Sequence, residues 1–131
     1  MANKYHNEIN EYDGNIFDSL KERRRYQELK LLERAGEIRE LKVHPQYEIH
    51  PGFVYNGEKI KPIYYEADFE YIAIDSEDLT SGEKEHLIIE EVKGMKTAVY
   101  KLKRKMLLKV LLQGIERKGK TWRPEFMEIL V

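Results

Sequence analysis

Four charged residues spread along the chain have the types that build a hydrolytic metal site: Glu22, Asp68, Glu91 and Lys93. Glu91 and Lys93 lie in HLIIEEVKGMK, residues 86–96, where two isoleucines and a valine mark a packed strand. Charge in such a strand is costly unless something repays it. On a strand Glu91 and Lys93 share one face, and Glu90 and Val92 share the other. Asp68 sits mid-strand in YEADFEY, although aspartate is among the poorest strand formers. Glu22 precedes Tyr26 by four residues and Leu29 by seven, so it shares the stripe of a helix that should face a sheet. Three carboxylates brought together repel one another and raise their pKa values unless a cation shares them. With no cysteine in the chain and no clustered histidine, oxygen ligands favour a hard ion, Mg²⁺ before Mn²⁺. Such an ion holds a water that can attack a phosphodiester, and Lys93 would steady the transition state or hold that water.

Each of these residues also has an ordinary structural reading. Glu91 and Lys93 fit an exposed ion pair on one face of a sheet. Asp68, flanked by Glu66 and Glu70, fits a solvated strand face. Glu22 closes the capping box Ser19-Leu20-Lys21-Glu22, in which the glutamate returns to the cap amide. His6, His44, His50 and His86 show no ligand spacing and read as structural or exposed.

The elements that must position these residues follow from pattern. Residues 1–18 read as a polar, mobile arm with a turn at Asp13-Gly14 and a short extended segment at Ile16-Phe17. Residues 19–131 read as one domain. A helix is predicted over DSLKERRRYQELKLLERAG, with Ser19 as N-cap, Gly36 at its end, and Tyr26, Leu29, Leu31, Leu32 and Ala35 as its stripe. LKVHPQYEI and GFVYNGEKIK read as extended, with Asn56-Gly57 as a hairpin turn. IYYEADFEYIAID reads as the clearest strand, with Tyr65, Ala67, Phe69 and Tyr71 alternating against acids. After the polar loop SEDLTSGEKE comes the strand HLIIEEVK. A second helix follows over TAVYKLKRKMLLKVLLQG, capped by Thr97, with Val99, Leu102, Met106 and Val110 facing inward, and EFMEILV closes as a strand. The expectation is a single α/β domain with a mixed sheet.

Bulk properties set outer bounds. The chain has 131 residues, 41% hydrophobic and 36% charged, which suits one solvated globular domain. The absence of cysteine excludes disulfides, thiol catalysis and sulfur-ligated zinc. No apolar run is long enough to span a bilayer, and MANKYHNEINEYDG lacks the core of a signal peptide, so a cytoplasmic location without a membrane partner is expected. Net charge is −1, but Lys93, Lys96, Lys101, Lys103, Arg104, Lys105 and Lys109 follow one another with no acid between them. That asymmetry permits a local anionic partner.

The segments FDSLKERRRYQELKLLERAGEI, YEADFEY and IIEEVKGMKTAVYKLKRK resemble the PD-(D/E)XK nuclease superfamily. More narrowly they resemble small phage and prophage endonucleases that are Holliday junction resolvase-like. The resemblance covers most of the chain from Tyr12 onward and implies a restriction-endonuclease-like α-β-β-β-α-β core. It implies that Glu22, Asp68 and Glu91 hold Mg²⁺ with the main-chain carbonyl of Val92, and that Lys93 completes the catalytic set. Ala67 stands where the superfamily's name has proline, and Glu90 adjoins the acid of the motif. The basic segment after the strand then gains a role, with Lys96, Thr97, Tyr100, Lys101, Lys103 and Arg104 contacting DNA phosphates. What the resemblance implies is a metal-dependent endonuclease for branched DNA in phage recombination or replication, working as a homodimer in the bacterial host cytoplasm. A nicking or end-processing nuclease and a non-catalytic DNA-binding module on the same fold are the alternatives.

Overall fold

Element ends fall where side chains cap or break the backbone. The computed structural model describes residues 10–75, 84–93 and 96–130. Strands β1 (Asn10–Tyr12) and β2 (Asn15–Phe17) form a hairpin about Asp13-Gly14, and its Phe17 is buried in the core. The extended segment expected there is thus one arm of a packed hairpin, while residues 1–9 and the loop residues 76–83 lie outside the described residues. Helix α1 (Leu20–Arg34) starts at the Ser19 cap and stops before Gly36, whose φ of 78° is the left-handed geometry glycine tolerates. Strand β3 (Ile38–Val43) runs into β4 (Gln46–His50). Strands β5 (Phe53–Tyr55) and β6 (Glu58–Ile60) pair across Asn56-Gly57, both at positive φ, as the sequence predicts. Then come β7 (Ile63–Glu66), β8 (Phe69–Asp75), β9 (Lys84–Lys93) and α2 (Ala98–Gln113). A hairpin of β10 (Ile115–Arg117) and β11 (Lys120–Trp122), which no sequence pattern announced, leads to β12 (Glu125–Leu130).

The central sheet has the order β12-β9-β8-β3, with β12 parallel to β9 and the other neighbours antiparallel. The chain is therefore an α/β fold with a mixed sheet, as expected. Alternate residues of β9 feed opposite faces. Ile88 packs with Tyr26 and Leu29 of α1, whereas Ile89 packs with Tyr100, Leu107 and Leu111 of α2. Val99 and Leu102, expected to face inward, are exposed at 64% and 61%. Helix α2 is apolar on most of its circumference, so periodicity left its phase open; contact with Tyr65 and Ile89 selects the Tyr100 stripe. Leu31 of α1 is likewise exposed.

The strand expected over residues 63–75 is two strands. Strand β7 pairs with β4, and β8 pairs with β3 and β9. Tyr65 and Ala67 join the α2 cluster, while Phe69 and Tyr71 join the α1 cluster, so the buried face changes at Asp68. The neighbouring chain slips at the same level: Val43 packs on the α1 side and Tyr47 on the α2 side. Between them His44 takes φ of 53°. Hydrogen bonds from His44 N–H to the Asp68 carbonyl (2.9 Å) and from Ala67 N–H to the Pro45 carbonyl (3.0 Å) hold the double break. Among the described residues, no helix is long and apolar enough to cross a membrane.

Candidate metal centre

Glu22 reaches the site because α1 starts where it does. The Ser19 hydroxyl accepts the Glu22 N–H at 3.1 Å, which is half of a capping box. The Glu22 carboxylate does not return to the cap. It turns inward, 3% exposed, and its Oε1 lies 2.5 Å from His44 Nε2.

Asp68 is fixed by the break between β7 and β8. Its N–H donates to the Glu90 carbonyl at 3.1 Å, and its Oδ2 accepts the Val92 N–H at 2.5 Å. The solvated strand face therefore does not describe Asp68, nor does it describe Glu70, which is buried against Tyr47 and Arg117. Phe69 faces Glu90 across the antiparallel pair, so Asp68 comes level with Glu91. Val92, whose carbonyl the resemblance places in a metal shell, meets Asp68 through its amide.

One ligand atom each from Glu22, His44 and Asp68 lies within 4.8 Å of the others. His44 is the residue sequence reasoning missed. Its partner is 22 positions away in the chain, and nothing in VHP signals that contact. Burial first, and then the charge of Asp68, push the Glu22 carboxyl up to about 7, against the opposing hydrogen bond from His44. A buried Glu22 carboxyl that resists ionisation beside the Asp68 carboxylate, with an imidazole nitrogen next to it, forms a donor set a divalent cation would satisfy. These residues fit a metal.

Glu91 is 2% exposed, and its Oε1 accepts the Tyr65 hydroxyl at 2.5 Å. An exposed ion pair is thus not its setting. Burial, and then this bond to Glu91, raise the Tyr65 phenol far above its usual pKa. Lys93 closes β9, and its side chain lies outside the described part of the structure. Glu90, the adjacent acid, points to the other face. There Arg25 grips it with Nε and Nη2, both at 2.8 Å, and Tyr71 donates its hydroxyl. Glu90 is committed to holding α1 on the sheet.

A family described as a protein of unknown function, DUF1064, matches residues 2–124. The chain belongs to the DUF1064 family. Comparisons with curated proteins and with solved structures gave no match. In this DUF1064 chain the residues expected to touch DNA fall into distinct environments. Thr97 caps α2, its Oγ1 accepting the Tyr100 N–H at 3.0 Å. Tyr100 is buried and donates to Glu128 at 2.5 Å. Arg104 donates to the same glutamate at 2.7 Å, and Lys96 stands 3.4 Å from it. Lys103 reaches the Tyr64 carbonyl at 3.3 Å, and Lys101 is exposed. Glu128 lies level with Glu91 in the β12–β9 pair, so the start of α2 is tied to the strand carrying the candidate site.

Proposed function

We propose that the DUF1064 chain is a metal-dependent DNA endonuclease of the PD-(D/E)XK type, acting on branched DNA as Holliday junction resolvases do. The observation that carries the reading is the convergence of Glu22 and Asp68, distant in sequence, at the level of Glu91 on the neighbouring strand. The central sheet and its two helices follow in chain order as α1-β3-β8-β9-α2-β12, a succession that supports this reading. A bound Mg²⁺, or Mn²⁺ in its place, would supply a Lewis acid for the phosphate and a water of lowered pKa. Glu22 and Asp68 would hold the ion, and Glu91, which the Tyr65 hydroxyl engages on the α2 side, would have to turn toward it to join them. The Val92 amide orients the Asp68 carboxylate, and the Tyr65 hydroxyl orients that of Glu91. Lys93 follows on the same strand as the cation nearest Glu91 in sequence. A homodimer, cutting two strands symmetrically during phage recombination or replication in the bacterial cytoplasm, belongs to the same proposal.

The test incubates purified protein with labelled four-way junctions and matched linear duplexes in Mg²⁺, Mn²⁺ or EDTA, beside Glu91→Gln. Paired junction cuts that need metal and vanish in the variant are expected. Equal cutting of duplex would remove the junction claim and leave a nicking or end-processing nuclease. No cleavage of either substrate would favour a DNA-binding module.

The basic start of α2 gives a further expected result. Lys101→Ala should flatten the log–log salt dependence of DNA binding by about 0.9, one phosphate contact's worth. Arg104→Ala should change it less, because Glu128 already holds that guanidinium. A salt slope unchanged even in the double variant would remove this face from the DNA path.

A further inference from the structure

His44 has no part in the donor set read from the sequence, yet the fold delivers it to the centre. Its Nε2 is hydrogen-bonded to Glu22 Oε1 at 2.5 Å, and one of its ring nitrogens lies within 4.8 Å of an Asp68 carboxylate oxygen. Metal–donor bonds of about 2.0–2.3 Å let one ion bridge atoms up to about 4.5 Å apart, close to the spread of these donors, and the imidazole would exchange its hydrogen bond to Glu22 for the ion. The backbone fixes the ring's origin. His44 N–H donates to the Asp68 carbonyl, so the imidazole and the Asp68 carboxylate spring from residues bonded across one break. The phenyl ring of Phe17, 6.0 Å from the imidazole centroid, supports its side. The φ of 53° is a left-handed geometry that non-glycine residues seldom adopt, and a histidine occupies it.

We infer that His44 is a nitrogen ligand of the Glu22–Asp68 centre, and that it tilts this site toward Mn²⁺ and the later first-row divalent ions over Mg²⁺. The inference rests on the reading of that centre as a metal site. The reason lies in ligand chemistry. Mg²⁺ favours oxygen donors and gains little from imidazole, whereas affinity for nitrogen rises from Mn²⁺ through Co²⁺ and Ni²⁺. Mg²⁺ still binds through the carboxylates when it is abundant.

Pulsed EPR of Mn²⁺ bound to the full chain tests this, because a coordinated imidazole imprints ¹⁴N modulation on the echo. The modulation should shift when the protein is made with ¹⁵N-histidine and vanish in His44→Asn. Asparagine tolerates the left-handed backbone, so that variant retains the fold. Titrations should show His44→Asn losing on the order of 10- to 100-fold in Mn²⁺ affinity, with Mg²⁺ affinity changed much less. Mn²⁺ bound with no nitrogen modulation, or with modulation that persists in His44→Asn, would overturn the assignment and leave the metal centre standing. Failure of the wild-type chain to bind Mn²⁺ at all would overturn both.

Discussion

Glu22→Gln is expected to raise the stability of the metal-free protein at pH 8 by about 1–3 kcal/mol, while reducing the proposed DNA cleavage on the order of 10³-fold. The two effects share one cause. In the folded chain the Glu22 carboxyl titrates near 7 instead of 4.5, through burial and then the charge of Asp68. An acid raised in this way supports folding fully below about pH 4.5. That support is lost as pH rises through about 7. Metal-free wild type should therefore melt lower at pH 8 than at pH 5.5, and the glutamine variant should lose this part of the fall. Glu128 moves in the opposite sense. Despite burial, which acts to raise it, hydrogen bonds from Tyr100 and Arg104 keep its carboxyl below the usual value, so its contribution is lost only in more acid solution. Mn²⁺ should recover the melting temperature of wild type at pH 8 and leave Glu22→Gln nearly unmoved. Calorimetry across pH, with and without Mn²⁺, reads all four conditions. A wild-type melting temperature independent of pH between 5 and 8 would show that Glu22 carries no such penalty.

Arg25→Ala is expected to cost about 3–5 kcal/mol of folding stability. Glu90 is fully buried, at 0% exposure, and Arg25 supplies two of its hydrogen bonds. Those bonds, first among the causes, hold the Arg25 guanidinium firmly protonated. Without the arginine a carboxylate would remain in the interior with, among the described residues, only the Tyr71 hydroxyl to face it. The double variant Arg25→Met with Glu90→Leu should recover most of the loss, because two charges are then removed together. Urea denaturation of the single and double variants measures the coupling. If Arg25→Ala moved the midpoint no more than a surface substitution, Glu90 would not depend on it.

This pair also answers why charges interrupt an apolar strand. Glu90 and Glu91 both lie in a run that reads as buried, and both are buried. Their partners, Arg25 and Tyr71 on one face and Tyr65 on the other, come from α1, β8 and β7. Residue types along the strand can state that a carboxylate needs a partner. They cannot name it.

The local signals held where local physics decides. Ser19 caps α1, Thr97 caps α2, and Asn56-Gly57 turns the β5–β6 hairpin, because each feature is a matter of a few adjacent residues. The succession of the two helices and the main extended segments was legible for the same reason, whereas which strands share the central sheet was not. The unbroken alternation of Tyr65, Ala67, Phe69 and Tyr71 misled, since period two describes a straight strand equally well whether or not its partners change. The aspartate in its middle was the one mark of the break.

The sequence alone determined that this chain forms an α/β domain and that Glu22, Asp68 and Glu91 are acids in places where acids are costly. Tertiary structure alone decided which acids meet. It sent Glu90 to Arg25, drew Glu22 away from its cap, and set His44 opposite Asp68 through a break shared by two chain segments. Secondary structure is written in neighbours along the chain. A site built across two faces of a sheet exists only once long-range packing has fixed which face each side chain takes.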